Sequence, residues 1–119
     1  MTDKIVSISA TGSIEITQKI NLCKIFKTFS NCEYNSEKFP ALIMRIENPK
    51  SSILIFSTGK MVITGLKEES DIKLIFNLVL ERLNRLGLKY INPNLTIRSK
   101  VIRNGTGRLH AIKLNKRIL

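Results

Sequence analysis

The strongest constraint on this chain lies between residues 41 and 64, where three apolar runs follow one another with almost no linker. The runs are Ala41–Glu47, Ser52–Phe56 and Lys60–Thr64. Asn48-Pro49-Lys50 supplies the first turn, with proline presetting φ at its second position, and Thr58-Gly59 is a tight hairpin signal. Links this short allow only an antiparallel meander, because a parallel crossover needs a dozen residues or more. Successive strand side chains point to opposite faces, and here both faces are apolar. Leu42, Met44 and Ile46 oppose Ala41, Ile43 and Arg45, while Met61 and Ile63 oppose Lys60, Val62 and Thr64. The second face mixes Val, Leu, Phe and Thr with Lys and Arg. An exposed apolar face rimmed by cations marks an interaction surface. Burial under a second sheet or another chain is the other solution, and patterning alone leaves both open.

The flanking segments supply cover for one face only. Residues 4–10 are rich in β-branched side chains and suit a strand; Gly12-Ser13 can break or bulge it, and Ile14 and Ile16 resume the alternation. Asn21 is placed to cap a short helix from Leu22 to about Phe29, with Ile20 and Ile25 as a hydrophobic staple. Leu22, Ile25, Phe26 and Phe29 form its expected buried stripe, with Cys23 read as a core residue. A long helix starts at Ser70 or Asp71, with Ile72, Ile75, Phe76, Val79, Leu83 and Leu86 on one face. Glu68, Glu69 and Asp71 complement its positive end, Arg82 and Arg85 its negative end, and Gly87 stops it. After Pro93, Leu95–Ile102 reads as a strand, and the tail to Leu119 is basic. The fold class is α+β: a curved antiparallel sheet with two helices on one face.

With 119 residues there is room for one domain with a modest core, and a 43% hydrophobic content is that of a globular chain. Twenty Lys and Arg against nine Asp and Glu give a net charge of +11, which favours a polyanionic partner. No apolar run reaches a membrane span, and the N-terminus lacks a signal peptide's apolar run. The expectation is an intracellular protein with no membrane partner, nuclear in a eukaryote and otherwise cytoplasmic. Cys23 and Cys32 read as free thiols; with a single His they make no closed metal site, so no metal is expected. His110 has no acid partner nearby in sequence, and no phosphate-cradling glycine loop is present, so neither an enzyme nor a cofactor is expected.

The segment EYNSEKFPALIMRIENPKSSILIFSTGKMVITG, residues 33 to 65, resembles the heart of one repeat of the TATA-binding protein family. The matching elements are Glu33-Tyr34-Asn35, Phe39, Ile43-Met44-Arg45-Ile46, Leu54-Ile55-Phe56, Ser57-Thr58-Gly59-Lys60-Met61-Val62 and Thr64-Gly65, without a gap. Both helices fit in place and length, so the resemblance covers about residues 4 to 102. It implies half of a two-repeat saddle, with helices on the convex top and a concave sheet lying in the DNA minor groove. About 4–92 would be one repeat, and 93–119 the opening strand of a second, incomplete one, all within a single domain, 1–119. High Ile, Lys and Asn content fits an A·T-rich genome, as in microbes and large DNA viruses.

The resemblance, not the spacing, supplies roles. Phe39 and Phe56 match a pair of wedges inserted between base steps, at a cost of about a few kcal/mol per unstacked step. Flexible TA steps kink most easily, so TATA-like sequence is read largely as deformability. Val6, Leu54, Val62 and Thr64, with Val101 in the second half, match positions against base edges and sugars. Arg45 and Lys60 match phosphate contacts. Lys4 and Ser99 stand where the family carries asparagines that hydrogen-bond central bases, so altered or relaxed sequence preference is expected.

The implied function is a transcription-initiation factor that binds and bends double-stranded A·T-rich promoter DNA, alongside other general transcription initiation factors and RNA polymerase. A module that docks proteins without sequence-specific DNA binding is the alternative, through a basic helix face of Lys73, Arg82, Arg85 and Lys89. A shift of 95 residues places Val6 on Val101, Thr11-Gly12 on Thr106-Gly107 and Ile14 on Leu109, an echo of a repeat's opening strand. A homodimer or a second repeat on a longer chain would complete the two-repeat surface.

Overall fold

A computed structural model describes residues 3–119. The elements run β1 (Lys4–Glu15), α1 (Leu22–Thr28), β2 (Cys32–Glu33), β3 (Ala41–Glu47), β4 (Lys50–Phe56), β5 (Lys60–Leu66), α2 (Glu69–Arg85), β6 (Ile91–Arg103) and β7 (Leu109–Arg117). The seven strands form one antiparallel sheet in the order β2-β3-β4-β5-β1-β6-β7. The meander forms as expected, with Leu42 opposite Ile55 and Ile55 opposite Met61. Both helices pack on the face carrying Leu42, Met44, Ile53, Ile55, Met61 and Ile63, all buried with Ile72, Ile75, Phe76 and Val79 of α2.

Two glycines set the geometry of this packing. At the β4–β5 turn Gly59 has φ +99°, and a Cβ there would lie 2.6 Å from the Ile14 carbonyl oxygen. The Ile14 N–H donates to the Gly59 carbonyl at 3.2 Å, locking the end of β1 to that turn. Gly12 neither breaks nor bulges β1; the strand runs straight through it. Its bare backbone receives α2, since an added Cβ would lie 2.5 Å from Phe76 Cε1. The register shifts fall at Ile5/Ser7, Ser9/Ala10 and Ser13/Glu15 against β6 and at Ile8/Ala10 against β5, so the irregularity expected at Gly12-Ser13 begins at Ser13.

The helices keep to their caps but not wholly to their expected faces. Asn21 caps α1, its side chain accepting from the Lys24 N–H at 3.1 Å. Gly87 ends α2: its N–H donates to Asn84 and that of Leu88 to Leu83. Leu80 joins the buried face of α2. In α1 only Leu22 and Ile25 are buried, whereas Phe26 is 46% exposed and Cys23 is exposed. A helix of seven residues over β3, close to the sheet edge, presents one narrow stripe; Phe26 sits on its flank, and Cys23 points away. Phe29 reaches the core from the extended C-cap position instead.

The basic tail is a strand. Residues 93–119, expected to hold one opening strand, form a hairpin of β6 and β7. Asn104 turns the chain, its Oδ1 accepting from the Thr106 N–H and hydroxyl and from the Arg108 N–H at 2.7–3.0 Å. The 95-residue echo therefore stops at Arg103: Thr11-Gly12 lies inside β1, Thr106-Gly107 in the turn. Ile14 is in the core, while Leu109 is 61% exposed. Glu69, at the start of α2, ties the hairpin to the helix through Lys116 at 3.1 Å and Lys100 at 3.5 Å. Those lysines, Lys116 first, hold the Glu69 carboxyl below its ordinary value.

Two outcomes are expected. Gly12→Ala forces Phe76 out of a closed site and lowers stability by about 1–3 kcal/mol in urea unfolding. Combining it with Phe76→Leu restores part of the loss; a change below about 0.5 kcal/mol would show that β1 can shift under α2. Glu69 has a depressed folded-state pKa, so its stabilisation is present above the ordinary carboxylate range and is lost as pH falls through the folded value. The melting temperature of the native chain should therefore exceed that of Glu69→Gln at neutral pH, and the two should converge well below pH of about 4.3.

Candidate nucleic-acid interface

The sheet face opposite the helices is built in rows set by strand register. One row crosses five strands, from Ile43 to Leu54, Val62, Thr11 and Thr96. Beside it run Arg45, Ser52 and Thr64. Leu54, Val62 and Thr64 are half-buried rather than closed off, so they form a shallow, mostly apolar floor. Strand alternation alone produces this result: Leu54 and Val62 each sit between two buried core residues, and Thr64 follows buried Ile63.

Phe39 and Phe56 meet at one end of the floor. Phe56 ends β4 opposite Ala41. Phe39 arrives from a turn in which the Asn35 carbonyl accepts from the Lys38 and Phe39 N–H groups, both at 3.0 Å, while the Asn35 side chain accepts from Glu37. The rings lie edge to face, with centroids 6.1 Å apart and planes at 61°. Phe39 is 43% exposed, which is expensive for an aromatic ring that has no partner to meet. Lys60 Nζ sits 5.9 Å from the Phe56 ring centre, bringing a cation to the same corner.

A second group gathers where β1 meets β6. Ser7 lies opposite Val101 and Ile5 opposite Ile102, so Val6 at the bulge adjoins Val101. Ser99 pairs with Ser9 on one side and Lys113 on the other. Lys4 stands directly opposite Arg103, two exposed cations in one cross-strand pair, an arrangement that is unfavourable unless an anion lies between or above them. Arg45 does not stand free: its Nη1 donates to Glu33 Oε1 at 2.6 Å, with both side chains largely exposed.

Sequence reasoning missed the cations of the hairpin. Arg98 lies over the floor, its Nε donating to Thr11 Oγ1 at 2.8 Å and its Nη1 to Asn115 Oδ1 at 2.9 Å. Lys113 shares this face opposite Ser99, as does Arg117 opposite Thr96. The signal was the two-residue alternation of Ile112, Leu114, Lys116 and Ile118 against Lys113, Asn115 and Arg117, preceded by Asn104-Gly105.

The helical side does not offer the expected basic stripe. Lys73 and Arg82 fall on opposite flanks of α2, half a turn apart at about 100° per residue. Arg82 turns inward, its guanidinium 5.1 Å from the Phe29 ring centre and its Nη1 donating to Met44 Sδ at 3.3 Å. Arg85 pairs with Glu81. Cys32 lies beneath, where burial pushes its thiol up and Arg82 partly offsets the shift. Among the described residues no three His, Cys, Asp or Glu side chains gather as a metal site, and no helix is long and apolar enough to cross a membrane.

Comparison with known proteins agrees with this geometry. The family described as "Transcription factor TFIID (or TATA-binding protein, TBP)" matches residues 3–86. The TATA-box-binding protein of Thermococcus kodakarensis is 35% identical over 97 residues, covering 81% of this chain and 51% of that protein. TATA-box-binding protein 2 of Methanosarcina mazei is 33% identical over 94 residues, covering 78% and 51%. The chain thus spans about half the length of the curated relatives it matches. The solved structure of Methanococcus jannaschii TBP superposes with a TM-score of 0.76 at 30% identity, over 86% of this chain and 58% of the other. A match over most of the chain in sequence, joined to the same curved sheet under two helices, makes this protein a member of the TATA-binding protein family.

Proposed function

We propose that this chain is a transcription-initiation factor whose open sheet face binds the minor groove of A·T-rich promoter DNA and bends it. The observation that carries the reading is the half-exposed Phe39–Phe56 pair at the end of an apolar floor bordered by cations. In this role Phe39 and Phe56 wedge one base step, and Leu54, Val62 and Thr64 press on sugars and base edges. Val6 and Val101 continue the floor across β1 and β6. Lys60, and Arg45 once released from Glu33, hold phosphates, with Lys4 beside Arg103 doing the same at the centre. A smooth apolar floor tolerates A·T pairs and disfavours the guanine amine, which is nearly all the information the minor groove offers. The net charge of +11 supports the same reading through counterion release. Residues 4–92 act as one repeat, and the rest of the two-repeat surface comes from a second copy or a longer chain. Other general initiation factors and RNA polymerase are the partners this role implies.

Duplex probes with a TATA-like or a G·C-rich centre, titrated across salt concentrations, test the proposal. The TATA-like probe should bind more tightly, with Phe39→Ala and Phe56→Ala each losing affinity and induced bending. Equal affinity for all probes, insensitive to both substitutions, would falsify it. Freeing Arg45 gives a second readout. Glu33→Gln should raise affinity about two- to fivefold at low salt, the gain fading as salt rises. No gain at low salt removes Arg45 from the phosphate contacts.

A further inference from the structure

Arg98 is a guanidinium held over the floor by two neighbouring strands, and its surroundings leave it unsatisfied. Thr11 on β1 and Asn115 on β7 hold it from both neighbouring strands, at 2.8 Å and 2.9 Å. Both acceptors are neutral oxygens, so its charge is not compensated by a carboxylate. A guanidinium carries five N–H donors in a planar fork. Two are used here, and the remaining three have no partner among the described residues. The recess beneath it is lined by Thr11, Ser13, Lys60 and Asn94, a polar break in an otherwise apolar floor. Lys4 offers a point charge without a fork, and the Ser99 hydroxyl is short; neither can do what an oriented fork does.

We infer that Arg98 is the central base-facing donor of this chain, held by Thr11 and Asn115 so that its free N–H groups meet the acceptor edge of A·T pairs. The inference rests on the proposal that the open face takes a minor groove. There, adenine N3 and thymine O2 are acceptors, and a G·C pair adds a guanine amine that points donors at donors. Sequence reading at the centre then passes from asparagine amides to one arginine of β6. Thr11 and Asn115 are positioning residues: they fix the plane of the fork without touching the bases.

The test uses the whole chain and three duplexes that differ at one central pair: A·T, G·C, and inosine·cytosine, which lacks the guanine amine. Wild type should bind the A·T and inosine duplexes alike and the G·C duplex less well. Arg98→Lys keeps the charge and the salt slope but should lose about tenfold of the discrimination. Thr11→Val should lose part of it, and Thr11→Ser should restore it. Thermal melting of each variant confirms that the fold is kept. If Arg98→Lys and Thr11→Val discriminate as wild type does, while Phe39→Ala still weakens binding, the assignment of Arg98 fails and the groove reading stands. Equal binding of inosine and G·C duplexes by wild type overturns the amine-rejection argument directly, without any variant. If wild type binds none of the duplexes, the groove reading falls, and the inference with it.

Discussion

The packing of α2 onto β1 and β5 governs the rest of the molecule. Phe76 fits against the bare backbone of Gly12, and Ile72, Ile75 and Val79 close over Met61 and Ile63. Each of these residues is fully buried, so together they remove several large side chains from water at roughly 1.5–3 kcal/mol each, before the entropy of ordering the chain is charged against them. Because strand side chains alternate, fixing one face of β1, β4 and β5 under α2 fixes what the other face presents. The floor of Leu54, Val62 and Thr64 is therefore a by-product of the core. A one-residue slip in any of these strands would exchange core and floor. The short turns at Asn48-Pro49 and Ser57-Thr58-Gly59 allow no such slip between β3, β4 and β5.

Much of this was legible in the residues. The meander was readable because its turns carry proline and glycine at the positions their backbones need, and because both strand faces were apolar. The long helix was readable from its three- and four-residue spacing. What was misread has physical causes. Gly12-Ser13 reads as a break or a bulge, and the register does shift after Ser13, but a missing side chain says nothing about which element approaches Gly12. Phe26 looked like core, since periodicity gives a helix face but not how far the sheet beneath extends. The hairpin strand β7 was hidden by its own charges: Lys113, Lys116 and Arg117 lower its mean hydropathy while leaving its alternation intact.

The candidate interface was legible in part, and for a different reason. Phe39 and Phe56 stand seventeen residues apart, and only the motif said that they meet; the structure puts their rings 6.1 Å from each other. Arg45 was marked as a cation, but its partner Glu33 lies twelve positions away across β2 and β3, beyond what local pattern can show. Arg98 was passed over because its contacts are eighty-seven and seventeen residues distant, one on each neighbouring strand. Side chains defined by register between remote strands are the least visible from sequence, and they are the ones that give this face its chemistry.

Lys4 opposite Arg103 ties the condition of the fold to what lies on it. In the free chain this pair repels across the β1–β6 seam, where the hairpin joins the repeat. An anion on that seam turns repulsion into attraction, and any species that binds only the folded form stabilises it by mass action. The seam is thus a place where ionic environment and structural integrity become one variable. Salt that screens the two cations relieves the seam, and dilute salt leaves their repulsion at full strength.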